Sequence, residues 1–224
     1  MKKLLFLLLL VACSSTLIAR NLSNGIYALD SNNHAVKLLQ VNKDCVGVLV
    51  VTDVTTFVID KLEDMNKLYV GTWMGWGNSG GFSFGGFGEE SNLSDRTSFE
   101  NAIADYDGFG NTSIILSEKQ MNWNGQSDSR NVTMKRLLLQ GKHSDSTFNW
   151  YIPSAGQMNI ILQNTEEINA YLQAMGGCQL MTDCSYLTST EKNTYICWIA
   201  DFVNQKICNA PKDSRLRLRL VRAL

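Results

Sequence analysis

The stretch Trp150–Asn164, WYIPSAGQMNIILQN, decides how the chain is read. An aromatic pair runs into Pro153, and a helix is predicted immediately behind it. Ser154 and Gln157 have the S-x-x-Q spacing of a capping box, in which side chain and backbone satisfy each other's orphan N–H groups. Met158, Ile161 and Leu162 then share one face at the i, i+3, i+4 spacing of a core-facing helix. The segment is expected to hinge a variable first part to a strand-rich end.

Downstream, Thr165 is predicted to cap a second helix. Glu166 and Glu167 suit its positive end, and Ile168, Tyr171, Leu172 and Met175 form its apolar stripe. Gly176-Gly177 stops it. Tyr195–Phe202 and Ile207-Cys208 then read as strands around a hairpin centred on Asn204-Gln205. In Arg215–Arg222, Leu216, Leu218 and Leu220 point one way and Arg215, Arg217 and Arg219 the other.

Upstream, Gly25–Leu29 is a predicted strand turned by Ser31-Asn32-Asn33. Val46–Val51 is a continuous apolar run of the kind buried on both faces, and Thr56–Ile59 can pair with it as a hairpin. Leu68–Val70 is a further candidate strand. Gly71–Gly88 is too rich in glycine for a regular helix and reads as irregular loop. Its aromatics, among them Trp73, Trp76 and Phe84, can either stack on sugar rings or fold back over the core. Ser94–Asp105 is predicted helical, with Ser94 or Ser98 as cap, and Asn111 is expected to cap a short helix through Leu116. Val132–Leu139 is a further predicted helix.

The first residues read as a targeting segment, placed at residues 1–19. Lys2 and Lys3 precede an apolar run, Leu4–Val11, that is too short to span a bilayer. The run ends at Leu10-Val11-Ala12-Cys13, which is similar to a lipobox and implies lipidation at Cys13; ordinary secretion is the alternative. Five further cysteines are compatible with disulfides in an oxidising compartment. The expected pair is Cys178 with Cys184. Cys197 and Cys208 are expected about four strand residues apart, roughly 13 Å, too far to bridge.

The chain has 224 residues, 45% hydrophobic and 18% charged, in the range of a folded protein. A formal net charge of −1 removes a whole-molecule case for nucleic acid. The G-x-x-x-x-G-K-[ST] phosphate loop, H-E-x-x-H and EF-hand motifs are absent from the sequence, and only two histidines, His34 and His143, are present. No metal, cofactor or catalytic residue is expected.

Three groups of residues then fall in a fixed order. Trp150-Tyr151-Ile152-Pro153-Ser154 comes first; Tyr186–Glu191 with Cys197–Phe202 follows; Arg217–Leu224 closes. This resembles a bacterial exported-domain family with a W-Y-L-P-S start, a Y-W-S-S-T-E turn, an A-W-x-V-x-F strand and an R-x-R-x-V-R end. The resemblance implies one C-type-lectin-like domain over residues 24–224, α+β, with a small antiparallel sheet, packed helices and long loops. Leu187 and Leu220 replace an aromatic and a proline of the family pattern. The calcium-binding tripeptides of C-type lectins and the paired cysteines of formylglycine-generating enzymes are missing, so neither activity carries over.

Candidate ligand contacts are Trp73, Trp76 and Phe84 in the glycine-rich loop, and Glu191, Lys192, Asn193 and Asn204 where the family presents variable surface. Arg217 and Arg219 complete the set as an exposed charged row, facing either an acidic partner or simply solvent. Glu191 and Asp201 are the carboxyl groups available for acid–base work, and turn capping is the commoner role for such groups. Ser189 lacks an evident base. The expected function is non-enzymatic recognition of a glycan or protein at the cell surface, with membrane contact only through a lipid anchor. The alternative is a structural subunit of a surface appendage or envelope complex. A formylglycine-generating type of enzyme comes third.

Overall fold

Alternation in the apolar runs after Gly25 becomes a sheet with two working faces. The computed structural model describes residues 22–61, 97–117, 150–193, 196–211, 214 and 216–224. Strands β1 (Gly25–Leu29), β2 (Ala35–Val36), β3 (Gly47–Val51) and β4 (Thr56–Asp60) pair antiparallel in the order β2-β1-β3-β4. On one face Ile26, Ala28, Val48, Val50, Phe57 and Ile59 enter the main core. The other face presents Tyr27, Leu29, Leu49, Val51 and Val58 to a second cluster. All five β3 residues are buried, as a continuous apolar run requires. The expected hairpin of β3 and β4 is present, with Val48 opposite Ile59 and Val50 opposite Phe57.

The same sheet is completed from far along the chain. β5 (Trp150–Tyr151) and β9 (Val221–Arg222) extend it to β2-β1-β3-β4-β9-β5. A second antiparallel sheet holds β6 (Ser185–Glu191), β7 (Ile196–Asp201) and β8 (Lys206–Pro211) in chain order.

Four α-helices accompany the sheets among the described residues: α1 (Phe99–Ile103), α2 (Gly108–Ser117), α3 (Ala155–Gln163) and α4 (Thr165–Ala174). Helix α3 begins at the expected capping box, with both reciprocal bonds between Ser154 and Gln157 formed. Its Met158, Ile161 and Leu162, with Ile168, Tyr171, Leu172 and Met175 of and after α4, fill the core between the sheets. Tyr171 also donates its hydroxyl to the Ile26 carbonyl at 2.9 Å, which ties α4 to β1.

Several local expectations are corrected. Asn164, not Thr165, is the N-cap of α4; the Thr165 hydroxyl turns back to the carbonyls of Ile161 and Leu162 in α3. Asn111 lies inside α2, not at its start. Helix α1 is capped by Ser98, one of the two caps expected, and ends at Ile103 instead of Asp105. Residues 216–220 do not form the long strand expected; only Val221 and Arg222 are paired as β9. Leu68–Val70 and Val132–Leu139 lie outside the described residues. The architecture is mixed α+β with antiparallel sheets, and the finer C-type-lectin-like topology is not confirmed.

Candidate functional site

Two of the motifs that order the sequence, Trp150–Ser154 and Tyr186–Glu191, meet at one buried polar knot. Asp105, which ends the α1 segment, is about 5% exposed. Its Oδ2 accepts from the Thr190 hydroxyl at 2.6 Å and from Asn111 Nδ2 at 2.8 Å, while Oδ1 accepts from the Asp107 N–H. Its main-chain carbonyl accepts from the Ser154 hydroxyl at 2.6 Å and from the Gly156 N–H at 3.0 Å. Thr190 in turn accepts from the Ala155 N–H at 2.8 Å, and Ser189 Oγ lies 3.4 Å from Asn111 Nδ2. Gln157 uses its carbonyl on the Ser154 N–H and its amide on the Tyr151 hydroxyl. Thr112 closes the rim, exchanging bonds with the N–H and carbonyl of Ile152.

Apart from exposed Asp107, the residues that supply these polar groups are buried, so each group must find a partner or lose its hydration without return. The knot satisfies them mutually and locks α1, α2, α3 and β6 together. Its chemistry is that of a joint. The hydroxyls of Ser154, Ser189 and Thr190 bond to amide or carboxyl groups of neighbouring segments. The sequence hides this role. Asn111 reads as a helix cap, and Ser189-Thr190 as part of a turn motif.

Among the described residues, those singled out as ligand contacts do not converge. Trp73, Trp76 and Phe84, like Cys13, lie outside the described residues. Glu191 is 5% exposed at the end of β6. Lys192 lays its ammonium over the Trp198 ring, 5.2 Å from the centroid, and Phe99 meets the same ring edge-on. Asn193 caps the β6–β7 turn, its Oδ1 accepting from the Ile196 N–H. Asn204 sits at the other end of β7, bonded through Nδ2 to Asp201 Oδ2 at 2.7 Å. The length of β7 separates the two turns, about 17 Å at about 3.3 Å per residue. Asp201 behaves as a turn cap: Oδ1 also accepts from the N–H groups of Val203 and Asn204. The Asn204 side chain, followed by these main-chain donors, holds the Asp201 carboxyl below the usual carboxylate range.

The arginine row is the main correction. Arg219 is 1% exposed, not part of a solvent-facing strand. Nη1 donates to the Asp60 carbonyl at 2.8 Å, and Nη2 to the carbonyls of Cys178 and Gln179 at 2.9 and 3.2 Å. Arg217 is half-buried, and Arg222 is buried beside the Trp150 ring at 5.8 Å. Burial pulls the Arg222 guanidinium below its ordinary value. Alternation assigns side chains to faces correctly here, but the segment has protein on both of its faces.

Cysteine geometry differs from expectation as well. Cys184 is a free thiol, so the Cys178–Cys184 bridge is not formed. Burial pushes the Cys184 thiol up, while the neighbouring Arg217 pulls it down. In the β7–β8 ladder Cys197 faces Ala210 and Cys208 faces Ile199, an offset of two strand residues instead of four.

No family model matches the sequence, and no curated protein matches it. Among solved structures the backbone is similar to one of stated role. That structure is a fimbrial protein from Bacteroides ovatus. The superposition covers 91% of this chain and 49% of that one, with a TM-score of 0.52 and 13% sequence identity. This chain therefore spans about half the length of the fimbrial protein, and at that identity the likeness establishes a shared fold.

Proposed function

We propose that this protein is a non-enzymatic structural subunit or assembly component of a bacterial surface appendage. The observation that carries the reading is the fold likeness to a fimbrial protein over nine-tenths of the chain. The polar knot agrees with it, since its groups build a rigid joint between elements. Export, with a lipid anchor at Cys13, is part of the same proposal, as is a cell-surface location. Recognition of a glycan or protein has narrower support, because Asn193 and Asn204 stand at opposite ends of β7.

The test is fractionation of the native bacterium. Appendages sheared from intact cells are expected to carry the chain, and the purified chain is expected to self-associate or to co-purify with a partner subunit. Both behaviours should survive Trp73→Ala and Asn193→Ala. Absence from sheared appendages, together with saturable glycan binding that those substitutions abolish, would move the assignment to recognition.

A further inference from the structure

Residues 216–222 touch both sheets, although among the described residues no named strand of one sheet pairs with a strand of the other. At the second sheet, the Arg217 N–H donates to the Ser185 carbonyl at 2.9 Å and the Leu187 N–H to the Arg217 carbonyl at 2.8 Å. At the first sheet, the Asp60 N–H donates to the Leu220 carbonyl at 3.1 Å, and β9 inserts between β4 and β5. Leu216, Leu218 and Leu220 cover Ile152, Leu187, Cys197 and Ile199. Arg219 points the other way and joins the end of β4 to the loop at Cys178 and Gln179.

We propose that residues 216–222 are a strap, fastened at Arg219, that opens as one unit short of global unfolding and uncouples the two sheets. Two features make it the weak joint. Its ladders are short: β9 pairs over two residues with β4 and with β5, and Tyr186–Arg217 is an isolated bridge, whereas β1–β3 and β3–β4 each run five residues. Its fastener is costly, because a guanidinium taken out of water is met by main-chain carbonyls while Nε is buried with no acceptor among the described residues. Opening returns that group to water, so part of the loss is recovered in the open state. Short ladders leave few main-chain bonds to break, and an incompletely satisfied buried charge lowers the cost of releasing the segment, which offsets part of its apolar burial. The open form bares the paired edges of β4 and β6 together with the leucine-covered cluster.

Hydrogen exchange on the full chain across a denaturant series tests this. The amides of Asp60, Leu187 and Arg217 are expected to merge into one opening with a shallow denaturant dependence. In water they should exchange at least about tenfold faster than the β3 amides. Arg219→Met strips donors from three carbonyls and should speed those three amides together, leaving β3 unchanged. Exchange of the strap amides on the same isotherm as β3 would overturn the proposal, as would independent responses of Asp60 and Leu187 to Arg219→Met. Should that variant fail to fold, the wild-type isotherms alone decide.

Discussion

At the scale of single residues, Gly156 shows how closely the first turn of α3 approaches α1. A Cβ there would sit 2.4 Å from the Asp105 carbonyl oxygen and 2.6 Å from that of Ile103, both main chain and unable to swing aside. Gly156→Ala is therefore expected to destabilise by about 1–3 kcal/mol, despite the better helix propensity of alanine, and urea unfolding will show it. Thr190→Val keeps the shape but removes one bond to Asp105 and one from the Ala155 N–H. A loss of about 2–3 kcal/mol is expected, read as a lower melting temperature. Neither residue's internal role stands out in sequence, because a threonine in a turn motif and a glycine in a helix each have ordinary explanations. Arg219 is the converse case. Its face was legible from alternation, yet its burial depends on what lies across from that face, which a period-two pattern does not contain.

Among the elements, those with a sustained period were legible: β1, β3, β4, α3, α4 and the β7–β8 hairpin. The capping box of α3 was written out in full as Ser154-x-x-Gln157. Ser154→Ala should cost about 1–2 kcal/mol, since it removes the cap and the bond to the Asp105 carbonyl together; loss of helical circular dichroism at a lower temperature is the readout. Helix α2 was harder to place, because glycines and a buried asparagine interrupt its apolar pattern. The β7–β8 turn carries a pH prediction. The folded Asp201 carboxyl lies below its unfolded value of roughly 3.9, so its support for the turn is present above that pH. It is lost as pH falls through the depressed folded value. Amide protection at Val203 and Asn204 should therefore decline in acid, and Asp201→Asn should flatten that decline.

For the molecule as a whole, motif order led toward a lectin-like domain; that topology is not confirmed, and the backbone is similar to a fimbrial protein. The motif residues are real, but much of what they do is internal. Tyr186, Ser154 and Thr190 are buried, and a motif that builds a joint looks like one that builds a binding face until partners are known. The two-sheet arrangement was illegible for a related reason: β9 and β5 are two-residue strands, below the length at which a pattern exists. Leu218, a fully buried side chain of the strap itself, tests how much the joint contributes. Leu218→Ala is expected to destabilise by about 2–5 kcal/mol, measured by denaturant unfolding.

The placement of β9 also sets a timetable for the growing chain. The edge of β4 at Asp60 receives its cover from Leu220, Val221 and Arg219, and Arg219 follows Asp60 by 159 residues. At roughly 5–20 residues per second, that interval lasts on the order of ten to thirty seconds. Throughout it β1, β3 and β4 can pair among themselves, while the outer edge of β4 offers unmatched N–H and carbonyl groups to any passing strand. Newborn copies therefore carry a temporary vulnerability that the finished molecule does not, and whatever shields β4 in that window governs how many of them mature.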